Sequence, residues 1–329
     1  MNKLLTIVIP SYNVEQYLEK GLDTLSDIRL SDALEVLIVN DGSTDSTPLI
    51  ANKYVNQYPD IFKLINKENG GHGSAINIGI RNASGKYFRV LDGDDWVITD
   101  YLVMLINELA ATDVDLVSDK KSEIDMKTQK GVLIALPSGI TAGKEYSFDE
   151  VCLDPEAVKY FMIHNFSVKT ALLNEHRIKV LEKVFYEDSE YVLKATAIAA
   201  TVKFVDLEIY QYMVGNVNQS VSTENFVKRY SHFNAVTKEM LKFSEENKSE
   251  YVKSRIKTVI LTQYYIAFIY NSNRKQGAKW AKELSEYLKN NYKEFYKCTK
   301  KRYSIDKILH YCGFDYDRLQ KLRALLGKH

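Results

Sequence analysis

Acidic residues stand in three groups along the first 190 residues of this 329-residue chain, each where an apolar run stops or starts. Asn40-Asp41-Gly42-Ser43 follows Leu34 to Val39, Asp92-Gly93-Asp94-Asp95 follows Tyr87 to Leu91, and Glu187-Asp188 precedes the apolar stretch Tyr191 to Ala200. Carboxylates projected from neighbouring strand ends repel one another unless a cation or a hydrogen-bonding substrate sits among them. Asp92-x-Asp94 carries the sharpest chemistry, because a divalent cation bridging the phosphates of a nucleoside diphosphate neutralises the charge developed on departure. Mg²⁺ and Mn²⁺ take oxygen ligands and keep several waters, so one or two carboxylates are enough. Taken singly, each group has a plainer reading. Asp before Gly forms turns, an Asp-rich turn can cap the helix near Asp100, and acids at a helix start complement its dipole. Their order is what points to an enzyme handling a metal-bound nucleotide diphosphate.

Such acids need strand ends to carry them. Leu4 to Ile9 is a continuous apolar run closed by Pro10, the pattern of a strand buried on both faces. Val14, Tyr17, Leu18, Leu22, Leu25 and Ile28 recur at helical spacing, and Leu34 to Val39 is a second buried strand. Ser43 to Pro48 reads as a helix N-terminus, with the helix running to about Tyr58. A strand at Phe62–Ile65, a helix at Ser74–Asn82, a strand at Tyr87–Leu91, a helix at Asp100–Ala111 and a strand at Asp115–Ser118 follow. Strands alternating with helices predict an α/β fold with a doubly wound, mostly parallel sheet, whose ligands lie at the strands' carboxyl ends. Beyond residue 120 the alternation fails. A hairpin at Glu123–Ile134, a short helix at Ala157–Ile163, a helix at Tyr191–Ala200 and a strand at Lys203–Val205 are expected there. From about residue 223 the chain is rich in Lys, Tyr and Glu and helical in period, with amphipathic stretches at Ala278–Tyr296 and Asp317–Leu326.

The formal net charge of +1 gives no global field for nucleic acid. Cys152, Cys298 and Cys312 show no paired framework, which fits a reducing, cytoplasmic setting. Met1-Asn2-Lys3 runs directly into the first strand, too short for a signal peptide, and Val259 to Tyr270 falls short of a membrane span.

Ile7-Val8-Ile9-Pro10-Ser11-Tyr12-Asn13, Val39-Asn40-Asp41-Gly42-Ser43-Thr44-Asp45, Leu91-Asp92-Gly93-Asp94-Asp95-Trp96 and Tyr186-Glu187-Asp188, in that order, resemble the motifs of family 2 glycosyltransferases, which have the GT-A fold. The resemblance covers roughly residues 4–215. It implies that Tyr12, on a turn set by Pro10 and beside Asn13, packs against a uracil ring, and that Asp41 accepts a hydrogen bond from the base. It implies Asp94 as the direct ligand of Mn²⁺ or Mg²⁺, Asp92 toward the ribose or the metal and its waters, and Gly93 and Asp95 around the donor. Asp95 would orient sugar hydroxyls or the loop. At the distant acid it implies the general base of an inverting enzyme, assigned to Asp188 with Glu187 as runner-up.

Glu68 to Gly79 is Gly-rich, but Ile76 replaces the third glycine of a dinucleotide fingerprint, and Gly79 to Lys86 does not fit a P-loop. The family segment ends in Ala-Arg-Asn-x-Gly; here Ala75, Asn77 and Gly79 are kept and Ile76 stands in place of Arg. Gly70, His72 and Asn77 are candidate donor contacts, with an exposed loop histidine as the alternative for His72. Asn40 replaces the usual first Asp of its motif. Tyr212 and Ser220 are candidate contacts in the segment that closes such domains, and His164 and Asn165 fall on the acceptor side.

The expected organisation is a catalytic domain over 1–222, with a nucleotide-binding half to about 118 and an acceptor half from about 119, then a helical region over 223–329. Between Arg274 and Arg302 ten Lys or Arg face three Glu, interleaved with Trp280, Tyr287, Tyr292, Phe295 and Tyr296. Such a helix fits an anionic membrane surface, or packs on the catalytic domain or on another copy in a homo-oligomer. The expected function is inverting transfer from a UDP-sugar to a glycan hydroxyl, lipid-linked or free, in envelope, capsule or exopolysaccharide synthesis, in the cytoplasm or at the inner membrane face. Two alternatives stand beside it: a sugar-nucleotide nucleotidyltransferase and a non-catalytic binding subunit.

Overall fold

A computed structural model describes residues 3–152, 154–215 and 222–325. The chain divides into two compact units, residues 1–218 and 219–329.

The first unit is built on a ten-stranded sheet. Its strands are β1 (Leu5–Ser11), β2 (Leu34–Asn40), β3 (Phe62–Asn66), β4 (Tyr87–Val90), β5 (Trp96–Val97), β6 (Leu116–Asp125), β7 (Gly131–Ile134), β8 (Glu145–Ser147), β9 (Phe166–Lys169) and β10 (Thr201–Val214). Along the sheet they run in the order β3-β2-β1-β4-β9-β6-β10-β5, with β7 on β6 and β8 on β10. Every residue of β1, β2 and β4 is buried, because these central strands are covered on both faces. β1 pairs in parallel with β2 and β4, and β2 with β3. The register sets Ser11 opposite Asn40, so the loops after β1 and β2 leave the sheet side by side. The helices are α1 (Leu18–Leu25), α2 (Thr47–Gln57), α3 (His72–Asn82), α4 (Thr99–Ala111), α5 (Phe148–Cys152), α6 (Pro155–Tyr160), α7 (Thr170–Glu175) and α8 (Glu187–Ala197). Leu18, Leu22 and Leu25 of α1 and Leu102, Leu105 and Leu109 of α4 close the core over Leu5, Ile7, Ile9, Val36 and Ile38.

The expected α/β sheet is present, parallel through β3-β2-β1-β4 and between β6 and β10. It is mixed rather than mostly parallel: β5 and β8 pair antiparallel with β10, and β7 with β6. Short β9 inserts antiparallel between β4 and β6, a non-local pairing that no local pattern announces. β6 and β10 are also far longer than their apolar centres suggest. Their polar residues are buried with partners: Asp119 meets Arg89, and Ser122 Oγ donates to Glu208 at 2.6 Å. α8 begins at Glu187, four residues before the expected start, so both acids lie in its first turn.

At the opposite edge of the sheet a buried carboxylate joins four strand starts. Glu35 accepts from Thr6 Oγ1 (2.6 Å), Lys63 Nζ (2.7 Å) and the Ser84 amide (2.8 Å). Burial opposes its charge, but these donors prevail and hold its pKa below the usual carboxylate value.

The second unit holds α9 (Thr223–Lys228), α10 (Tyr230–Glu246), α11 (Glu250–Tyr265), α12 (Arg274–Asn291), α13 (Lys293–Tyr311) and α14 (Tyr316–Leu325), with one π-helical turn at Ile266–Tyr270. Val236, Met240, Leu241, Val252, Ile256, Ile260, Leu284 and Leu288 form its interior. Aromatics of the basic stretch pack inside this unit, Trp280 on Tyr230 and Phe295 in the interior. Among the described residues no helix is long and apolar enough to cross a membrane.

A depressed carboxylate contributes stability above its unfolded pKa and loses it as pH falls through the folded value. Glu35→Gln is therefore expected to cost about 1–3 kcal/mol at neutral pH, with the gap to the parent closing toward acid. Urea denaturation across that range measures this; a gap independent of pH would contradict it.

Candidate active site

The first wall of the site is the pair of loops after β1 and β2. Tyr12 is 51% exposed at the end of β1. Asn13 adopts a left-handed backbone (φ 53), its amide donating to Ser43 Oγ (3.1 Å) and its Oδ1 accepting from the Thr44 amide (2.8 Å). Asn40 donates to Asn66 Oδ1 (2.8 Å) and accepts from the Ser43 amide (3.1 Å). An ionised Asp could not make the first of these bonds, which explains the departure from the usual motif. Asp41, 2% exposed, accepts from the amides of Gly70 (2.9 Å) and Gly71 (2.7 Å) and from Lys67 Nζ. Its Oδ1 takes two of these bonds and its Oδ2 one, so one lone pair stays free on Oδ2. Pro10 is covered by Gly93, where an added Cβ would lie 3.0 Å from the Pro10 carbonyl oxygen.

The second wall is the acid-rich loop after β4. Asp95 is buried, and its oxygens accept from Tyr210 Oη (2.7 Å) and the Met213 amide (2.8 Å). Tyr210 Oη in turn accepts from the Asp92 amide (3.0 Å). Asp92 Oδ1 lies 3.0 Å from His72 Nε2, and its Oδ2 lies 3.4 Å from His164 Nε2. Desolvation opposes the charge of Asp92, yet its bonds to His164 and His72 hold its pKa far below the ordinary value. Asp94, half-buried, has no such partner among the described residues; desolvation and the charge of Asp92 push its carboxyl up to about 6. Desolvation and the charges of Asp92 and Asp94 raise Asp95 well above the carboxylate range.

The third wall arrives from the distant acid. His72 Nδ1 lies 2.8 Å from Glu187 Oε1, so one imidazole joins Asp92 to Glu187. Desolvation would lower its pKa, but the two carboxylates raise it well above the usual value, making it an imidazolium held between two anions. The approach depends on glycine. An added Cβ at Gly73 would sit 2.2 Å from the Leu181 carbonyl oxygen, so a side chain there would push the 181–187 segment away. Gly71, at φ 84, caps α3, and the Lys183 amide donates to the Gly70 carbonyl at 2.7 Å. Tyr186 caps α8 with φ 73, a left-handed conformation costing roughly 1–3 kcal/mol for a bulky residue. Glu187, 3% exposed, is tied down, whereas Asp188 keeps an open face to solvent. The surrounding protein desolvates its carboxyl and Glu187 repels its charge, which together raise its pKa.

Support comes from beneath. Arg89 and Asp119, 1% and 0% exposed, form a two-pronged ion pair, and Arg89 Nη2 donates to the His164 carbonyl at 2.6 Å. The His164 ring stacks on Tyr212 (centroids 4.5 Å apart, 28°) and contacts Tyr210 at 4.8 Å.

The structure gathers Asp92, Asp94, Asp95, Gly93 and His72 with Glu187, and places Tyr12, Asn13, Asp41 and Gly70 on the neighbouring loops, with Pro10 near the end of β1. Asn77 is different. It is 2% exposed, and its amide is spent on Val180 (2.9 and 3.0 Å) and Glu182 (3.1 Å), so it acts on the site by holding the segment that leads to Glu187. Ile76 is fully buried in the core. Ser220 lies outside the described residues. Sequence reasoning passed over Tyr210, Arg89 and Asp119. Tyr210 had a signal, since it shares a strand face with Tyr212 two residues on.

Among the described residues, ligand atoms of Asp92, Asp95 and His164 lie within 4.8 Å of one another. Carboxylate oxygens crowded in this way are the donors that a hard divalent cation takes. Asp95 and Asp92 both have their oxygens engaged, by Tyr210 and Met213 and by the two histidines, whereas Asp94 meets no histidine among the described residues.

Residues 6–176 match the family model described as Glycosyl transferase family 2. The uncharacterized glycosyltransferase EpsJ of Bacillus subtilis (strain 168) is 30% identical over 220 residues, 64% of this chain and 61% of its own length. The chain spans less than two thirds of the first curated relatives it matches. The crystal structure of S. aureus TarS 1-349 in complex with UDP-GlcNAc has a TM-score of 0.68 at 19% identity, over 99% of this chain and 93% of that one. The mannosyltransferase PcManGT from Pyrobaculum calidifontis, in complex with GDP-Man and Mn²⁺, has a TM-score of 0.54 at 18% identity, over 94% and 88%. At these identities the likeness to solved structures is one of fold.

Arg89→Ala leaves Asp119 as an unpaired buried charge and releases the His164 backbone. We expect a loss of about 3–5 kcal/mol in chemical denaturation; a loss below about 1 kcal/mol would show that water or rearrangement replaces the guanidinium.

Proposed function

This chain belongs to glycosyl transferase family 2 and has its GT-A fold, and from that premise we propose that it moves a sugar from a UDP-sugar to a hydroxyl of a glycan acceptor, with inversion at the anomeric carbon. The observation that carries the reading is the convergence of Asp92, Asp94, His72 and Glu187 on one sheet edge, with Asp188 open to solvent beside them.

Tyr12 offers an exposed ring on which uracil stacks, and the free lone pair of Asp41 Oδ2 accepts the base N3–H. Cytosine has no such donor. Gly70 and Gly93 let the loops beside the donor pack closely, since an added Cβ would meet Ser74 and Lys67 at the first and Pro10 and Val14 at the second. Asp92, aimed by two histidines, serves the ribose or the cation's waters, while Asp95 acts on the loop through Tyr210 and Met213. Held by Asp94 and Asp92, Mn²⁺ or Mg²⁺ would offset the negative charge that gathers on the departing diphosphate.

The acceptor oxygen attacks the anomeric carbon from the side opposite the diphosphate. Its proton passes to Asp188 while the bond from that carbon to the phosphate oxygen breaks and UDP leaves. A carboxylate whose pKa is raised is a stronger base, which suits Asp188 to this step. Glu187, bonded to His72, is the less available of the two acids. As acceptor we propose an envelope, capsule or exopolysaccharide glycan, modified on the cytoplasmic side.

Two variants separate the roles. Asp94→Ala is expected to abolish Mn²⁺-dependent UDP binding in calorimetry, and unchanged affinity would remove it from the metal site. Asp188→Asn should keep donor binding and lower turnover by roughly 10²–10⁴-fold; near-normal turnover would move the base elsewhere.

A further inference from the structure

The helical unit contains a cavity of about 690 Å³, within the range of small-molecule sites. Its walls come from α9, α10 and α12, and include Tyr230, Asn234, Lys238, Gln276, Trp280 and Tyr287. None of these residues belongs to the family motifs.

A packing defect would be lined by loosely held groups; these walls mix rings and polar groups held by defined contacts. The half-buried indole of Trp280 lies flat on Tyr230, with centroids 4.2 Å apart and planes within 4°. Lys238 Nζ sits 4.9 Å from the Tyr287 ring centroid, a cation–π contact that holds the ammonium at the wall. Asn234 is aimed from behind. Its Oδ1 accepts from Gln263 Nε2 (3.2 Å), and Gln263 Oε1 accepts from Thr237 Oγ1 (2.9 Å). Gln263 and Thr237 are both 0% exposed. A polar chain through a helical core is costly to build and restrains its outermost member. Asn234 Nδ2 has no hydrogen-bond partner among the described residues, so the amide presents its donors.

An aromatic platform beside amide, ammonium and carboxamide groups matches a pyranose, which offers an apolar C–H face and an edge of hydroxyls. Lys228 and Lys238 against Glu283 leave the lining with an excess of positive charge, which favours sugars bearing a carboxylate or phosphate. We propose that this cavity is a second, non-catalytic saccharide site, which holds a unit of the acceptor glycan outside the catalytic unit. The choice of a saccharide rests on the transferase reading; the geometry of the cavity does not.

The chain has two tryptophans, Trp96 and Trp280, so Trp96→Phe leaves Trp280 as the sole indole reporter. The fluorescence of that variant is titrated with short oligosaccharides of glucose, galactose, N-acetylglucosamine, N-acetylgalactosamine and glucuronate, with and without excess UDP. A saturable change that UDP does not displace is expected for at least one glycan. Asn234→Ala and Lys238→Ala, on the same background, should each weaken it about tenfold and leave slow hydrolysis of the donor unchanged. Silence from every glycan, or affinity indifferent to both variants, overturns the proposal. Glycan binding in a protein that binds and cleaves no sugar nucleotide would contradict the transferase reading and spare this site.

Discussion

Carboxylates gathered at one sheet edge stay together only when positive charge is set among them, and His72 supplies that charge from within the protein. Its two ring nitrogens reach Asp92 on the β4 loop and Glu187 at the start of α8. Two chain segments separated by about a hundred residues are thereby fixed against each other before any ligand arrives. The imidazolium also sits at the N-terminus of α3, where the helix dipole disfavours a cation; its two anionic partners outweigh that cost. Among the described residues no histidine bonds Asp94, and desolvation together with the charge of Asp92 raises its pKa.

The rest of the first unit is arranged to make that contact fit. The central parallel strands β1, β2 and β4, buried on both faces, give rigid strand ends, and the Ser11–Asn40 register brings two of the binding loops together. Gly73 lets the 181–187 segment approach to a distance that no side chain would permit. Tyr186 takes a strained backbone to turn into α8 and present Glu187 inward and Asp188 outward. Arg89 and Asp119 hold the His164 backbone from below, so both histidines that flank Asp92 stand on fixed supports.

How much of this can be read from the sequence depends on whether a residue's partner is local. β1 and β2 are uninterrupted apolar runs, and the acids after them stand where a strand must end, so the sheet and the acidic loops were legible. β9 was not, because four residues between two distant strands carry no pattern of their own. β6 and β10 extend through buried polar residues whose partners, such as Arg89, Asn165 and Glu208, lie far away in the sequence. His72 lies in a loop-like run of glycines, and only the fold shows that Asp92 and Glu187 lie on either side of it. Asn40 looked like a lost charge and proves to be a donor to Asn66, which the usual Asp cannot be.

The most direct test is the slow hydrolysis of UDP-, GDP-, CMP- and dTDP-sugars, measured with Mn²⁺ and with a chelator. The account predicts release of UDP, from a UDP-sugar and only when metal is present. Release that persists in chelator, release of a different nucleotide, or neither binding nor cleavage of any UDP-sugar would contradict it.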